Sequence, residues 1–131
     1  MKTLLLLLSL NLFANSYVIV ASKHVKEVSL VKLKALYLKK SFFINETKIV
    51  PVNLPANNPA RISFEKNILK MDFNRLKSYW MKQHYLGHRP PITMKSQQSV
   101  VAFVQKVDGA IGYIERKNIN ETLEVLYEWK D

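Results

Sequence analysis

The stretch IVPVNLPANNPAR, residues 49–61, decides how this chain is read. Its first half, IVPVNL, is an apolar run with the length of a strand. Pro51 inside it implies an edge strand or a local irregularity, since proline donates nothing to a ladder. The second half reads as a helix start. Asn58 is a good N-cap residue and Pro59 a good first residue. A helix start exposes backbone N–H groups and can hold an anion. Pro59 has no N–H, so the donors here are the backbone of Ala60, Arg61 and Ile62 with the side-chain amides of Asn57 and Asn58. The dipole of an exposed helix start adds about 0.3–1 kcal/mol toward an anion. Arg61 offers a charge-assisted contact.

Outward from this junction the same alternation continues. YVIVAS (17–22) is a β-branched run that reads as a buried strand. SLVKLKALYLKK (29–40) places Leu30, Leu33 and Tyr37 on one helical face behind Ser29 as N-cap. After Pro59, Ile62, Phe64, Ile68 and Leu69 are the expected inward positions of one helix. Asp72 caps the next, with Phe73, Leu76, Tyr79 and Trp80 at helical spacing, and GHRPP (87–91) stops it. Ser96 opens a helix in which Val100, Phe103, Val104 and Val107 follow the inward template, and Gly109 ends it. AIGYIE (110–115) and LEVLYEW (123–129) read as two further strands, the last at an edge; FFINETK (42–48) is the nearest thing to a linker. Strands alternating with helices predict an α/β layer with a mainly parallel sheet.

The 131 residues suffice for one domain. Residues 1–16 carry the pattern of a secretory signal peptide: Lys2, an apolar run from Leu4 continuing to Phe13, and small residues at Ala14 and Ser16. The alternative is a retained N-terminal anchor. Residues 17–131 are then the folded domain, expected to be periplasmic or secreted. There is no cysteine, which excludes disulfides, zinc–cysteine sites, thiol catalysis and a lipid-modified cysteine after the leader. Net charge is +10, and most of the basic residues are Lys scattered along the chain. Such a surface suits anionic company: phosphate, lipid head groups, polysaccharide or an acidic protein. The Lys form no stripe interleaved with stacking aromatics, so nucleic acid is not expected.

The order VIV, LKALYLKK, IVPVNLP, LKSYW, RPP and VVAFVQKVDGAIGYI resembles the phosphate-binding substrate-binding proteins of ABC transporters. It is most similar to short, single-domain members of that type 2 periplasmic-binding-protein-like group. The resemblance runs over residues 17–115. It implies a three-layer, Rossmann-like single lobe, exported and non-enzymatic, with a mainly parallel sheet flanked by helices. It also implies phosphate or another small anion as ligand and a transporter component as partner. The family carries Ser-Gly-Thr where this chain has Asn58, Pro59 and Ala60, and an Arg where it has Leu54; those donors are missing.

Ligands of open α/β sheets gather beyond the carboxyl ends of the strands. The expected anion constellation is therefore Ser22, Lys23, Asn57, Asn58, Ala60 and Arg61, engaging phosphate or another small anion weakly. The rival expectation is an interaction module of the envelope that kept the lobe and lost the ligand, meeting an acidic partner through its basic surface. His84 and His88 lie four apart, but Gly87 falls between them and no carboxylate is close, so no metal is expected. The acidic residues form no pair suited to acid–base catalysis, no serine sits in a G-x-S-x-G turn, and Gly109 to Gly112 follows a helix and opens a strand, the reverse of a phosphate loop. Neither an enzyme nor a cofactor is expected. NET occurs at 45–47 and 120–122, a glycosylation signal only in a host that reads it.

Overall fold

The run Val18-Ile19-Val20 forms the middle of β1 (Ser16–Ser22), a strand buried along its whole length. Structure is described, in a computed structural model, for residues 15–25 and 28–131. The expected leader lies almost entirely outside them, and β1 opens at Ser16, one residue before the expected start of the domain. The elements that follow are α1 (Leu30–Tyr37), β2 (Phe43–Ile44), β3 (Thr47–Lys48), β4 (Val50–Asn53) and α2 (Pro59–Phe64). Next come α3 (Phe73–Tyr85), β5 (Ile92–Thr93), α4 (Gln97–Lys106), β6 (Ala110–Glu115) and β7 (Leu123–Lys130).

Five strands form one sheet in the order β5-β4-β6-β1-β7. β4 is parallel to β5 and β6, and β1 is antiparallel to β6 and β7. The fold is the α/β lobe read from the sequence, with four strands running one way and β1 alone reversed. Direction is not written in a buried β-branched run. A strand covered on both faces reads as continuously apolar whichever way its neighbours point.

Pro51 sits inside the sheet. β5 is only two residues long and pairs with Val52 and Asn53, so no ladder bond is demanded of Pro51 on that side. The expected linker at 42–48 is instead the hairpin β2–β3, turned by Asn45 in the left-handed region at φ 53°.

The N-caps fall where the sequence puts them. Ser29, Asn58, Asp72 and Ser96 each accept a hydrogen bond from the first turn of the helix that follows. α2 does not stop at Phe64. It continues as one π-helical turn, Glu65–Leu69, ended by Lys70 with φ 54°. α4 packs on β6 through Val100 and Val104, and a Cβ on Gly112 would overlap Val100 Cγ1. Gly112 is therefore a close-approach position.

Between α2 and the sheet lies an aromatic core. Phe64 stacks on Tyr113 with centroids 4.1 Å apart, and Tyr37 meets Phe64 at 4.6 Å. Trp129 stacks on Tyr17 at 5.3 Å and donates its indole N–H to Ser63 Oγ at 2.9 Å. Two expected inward residues face out. Ile62 is 54% exposed and Phe73 72% exposed. Ile62 lies off the face of α2 that Ala60, Ser63 and Phe64 bury, and Phe73 is the first residue of α3, of which only Leu76 is buried. Tyr79 and Trp80, expected in the core, are only partly buried against it.

Candidate functional site

The corner at residues 54–61 leaves β4 at its carboxyl end, where a ligand of an open α/β sheet belongs. Asn58 has extended dihedrals, φ −71° and ψ 130°, and its Oδ1 accepts the Ala60 N–H at 2.9 Å. The N–H groups of Arg61 and Ile62 both go to the Asn58 carbonyl, at 3.0 and 3.1 Å. Asn58 N–H goes to the Pro55 carbonyl at 2.9 Å. Every first-turn donor named for anion binding is thus already bonded, and Pro59 has none to give. Asn57 is exposed at the bend.

Arg61 is held as well. Its Nε donates to Glu65 Oε2 at 2.9 Å and its Nη1 to the Leu54 carbonyl at 2.9 Å, with the side chain 22% exposed. The guanidinium closes the corner from outside rather than facing it as a free charge. Glu65 places a carboxylate one turn along the same face, and an incoming anion meets both charges together. The i, i+4 spacing of Arg61 and Glu65 is legible in the sequence as a helical ion pair, and it is the signal that sequence reading passed over.

Beneath the corner lies a second network. Tyr113 donates its hydroxyl to Asn53 Oδ1 at 2.8 Å and accepts from the Leu54 N–H at 3.1 Å. Burial raises the Tyr113 phenol well above its ordinary value, against an opposing effect of the Leu54 N–H bond. Burial does the same to Tyr37, whose hydroxyl donates to the Val52 carbonyl at 3.1 Å. Both phenols therefore stay neutral donors that fix the end of β4.

Ser22 and Lys23 are not brought to this corner. Ala21 lies opposite Ile111, which in turn lies opposite Pro51, so β1 delivers Ser22 to the end of the sheet where β4 begins. The corner is four strand steps away, about 13 Å at ~3.3 Å per residue. The reversed direction of β1 is the whole reason. Ser22 is buried, its hydroxyl has no partner among the described residues, and Lys23 is exposed. The structure therefore collects Asn57, Asn58, Ala60 and Arg61, and leaves Ser22 and Lys23 at the far end.

His88 Nδ1 lies 2.8 Å from Gln83 Oε1, and among the described residues no cluster of His, Asp and Glu could hold a metal ion. Among them also, no helix is long and apolar enough to cross a membrane.

The geometry is that of one lobe of a type 2 periplasmic-binding-protein-like α/β fold, with a capped corner at the carboxyl end of β4. Solved structures that it resembles include substrate-binding proteins of phosphate transport. One is a putative phosphate ABC transporter substrate-binding protein with bound phosphate from Clostridium perfringens, with a TM-score of 0.67 and 19% identity over 86% of this chain and 44% of that one. Another is an ABC-type phosphate transport receptor from Vibrio cholerae, with a TM-score of 0.67 and 14% identity over 86% and 45% of the two chains. PstS from Borrelia burgdorferi matches with a TM-score of 0.62 and 14% identity over 86% and 46%. At these identities the likeness is one of fold. The chain spans less than half the length of the structures it resembles. No family model and no curated protein matches the sequence.

Proposed function

We propose that this chain is an exported, non-enzymatic, solute-binding-protein-like lobe that serves as an interaction module of the cell envelope, its corner closed to small anions. One observation carries the reading: the Ala60, Arg61 and Ile62 N–H groups are all bonded within the chain, and the Arg61 guanidinium is tied through Nε to Glu65 and through Nη1 to the Leu54 carbonyl. An oxyanion taken from water must recover many hydrogen bonds, and a corner with its first-turn N–H groups engaged keeps few donors to repay that loss. Export follows the leader pattern at residues 1–16. The excess of basic residues suits an acidic envelope protein or a transporter component. Titration calorimetry with inorganic phosphate in the millimolar range tests it. The expected result is no saturable heat and no shift in melting temperature. A saturable signal abolished by Arg61→Ala overturns it.

A second reading, weak binding of phosphate, is favoured by the lobe's likeness to a receptor with bound phosphate and by the exposed amide of Asn57. Glu65→Gln separates the two. If the corner is a latent anion site, the variant frees Arg61 and gains phosphate affinity. In a module without a ligand it gains none.

A further inference from the structure

A hollow of about 560 Å³ opens between α2 with its π-helical turn and the start of α3. Ala56, Ile62, Met71 and Phe73 are its apolar wall. A second hollow of about 330 Å³ shares Ala56, Glu65 and Phe73 with it and adds Leu76 and Trp80 further along α3. The two therefore follow one another along the helix, and Phe73 to Trp80 is about 11 Å at ~1.5 Å per residue. That is the size of a site for a small organic molecule. The local backbone shapes the hollow. The π-turn ends at Lys70 in the left-handed region, and the N–H groups of Lys70 and Met71 both go to the Glu65 carbonyl. A π-helical turn is uncommon and is frequently found at functional sites. The carboxylates of the lining are engaged: Glu65 with Arg61, and Asp72 with the Arg75 N–H. Its cations are less so. Lys66 reaches Asp131 only at 3.6 Å, and among the described residues Lys70 and Lys77 make no ion pair.

We infer that this groove binds an amphipathic monoanion, an apolar body of medium length carrying one carboxylate. The body lies on Ile62, Met71 and Phe73 and runs toward Trp80, and the carboxylate meets Lys70 and Lys66 at the end where two cations stand. Lining and charge together select this class. A bare anion gains nothing from apolar walls. A peptide brings amide groups that must be paired, and the Lys70 and Met71 N–H groups beside the hollow are already spent on Glu65. An apolar body asks for no such partners, and its one charge finds the uncommitted ammonium groups. The inference goes beyond the proposed function and does not need the corner to be open or closed to phosphate.

Decanoate, kept below the concentration at which it forms micelles, is the probe. Titration calorimetry on the full chain is expected to give saturable heat. Methyl NMR on the same unaltered chain is expected to move Ile62 and Met71 and to leave Val125, exposed on β7, in place. Decanol, the same body without the charge, is expected to bind more weakly. Lys70→Gln lowers decanoate affinity about threefold, and Phe73→Ala about tenfold. Lys106→Gln, exposed on α4 and outside the groove, changes nothing. All three positions are exposed, and an unchanged circular dichroism spectrum establishes that the variants fold. Absence of saturable heat with decanoate overturns the inference, as does heat without movement of the Ile62 and Met71 methyls. Equal affinity for decanol also overturns it, since the head group then selects nothing. So does an equal loss in Lys106→Gln and Lys70→Gln, which would make the attraction one of net charge alone.

Discussion

Tyr113 is the residue on which the end of β4 depends. Its hydroxyl is the partner of both Asn53 Oδ1 and the Leu54 N–H, in a place water does not reach. Tyr113→Phe keeps the ring stacked on Phe64 and leaves those two polar groups unpaired. The expected cost is about 1–3 kcal/mol at neutral pH, the usual penalty for a buried group left without its bond. The same hydroxyl gives stability a pH dependence. In the unfolded chain tyrosine ionises near pH 10, at about its reference value. In the folded protein burial raises Tyr113 and Tyr37 above that. A raised folded value means the contribution is complete below about pH 10 and is lost as pH climbs beyond it toward the folded values. Urea unfolding at neutral pH and above pH 10 checks both effects. Tyr113→Phe should lower the neutral midpoint and flatten the alkaline decline, leaving the part due to Tyr37.

At the scale of the element, α3 is the exception in a well-packed lobe. Of its thirteen residues only Leu76 is buried, and its firmest polar tie is the Tyr79–Leu38 bond. Helical periodicity and the Asp72 cap make the helix legible in the sequence, but periodicity says nothing of how closely its apolar face will be covered. Phe73 and Trp80 recur at the right spacing and remain partly in water for that reason. Few buried contacts and exposed backbone bonds define a segment that opens locally before the protein unfolds. Hydrogen exchange should therefore find the amides of residues 77–85 losing protection well before those of β1 and β6. Tyr79→Phe should widen that gap without moving the global unfolding midpoint by more than about 1 kcal/mol, the usual net worth of one exposed-to-half-buried bond. The π-turn after α2 and the two-residue strand β5 were beyond sequence reading for a different cause. Each is set by what it packs against, and neither has enough length to show a period.

For the whole molecule, the order of strands and helices was enough to give the lobe, because burial and period decide the layers. It was not enough to place the site, because one reversed strand sends Ser22 and Lys23 to the opposite end from Asn58 and Arg61. That same strand joins the first and last parts of the fold: β1 pairs with β6 on one side and with β7 on the other. Trp129 is the clasp of this closure. It stacks on Tyr17 from β1, packs at 6.0 Å from Phe64 on α2, and bonds Ser63 through its indole. Trp129→Ala removes a large ring at the meeting point of sheet and helix, for which about 3–5 kcal/mol is the expected loss. A domain of this size has about 5–15 kcal/mol in all, so the variant should stand near the edge of folding. If β1 and β7 belong to the one cooperative core, urea unfolding followed by far-ultraviolet circular dichroism stays a single transition with a much earlier midpoint. A loss under about 1 kcal/mol would mean that β7 is an ornament on a four-stranded lobe, since a ring in the shared core cannot be deleted at so small a cost.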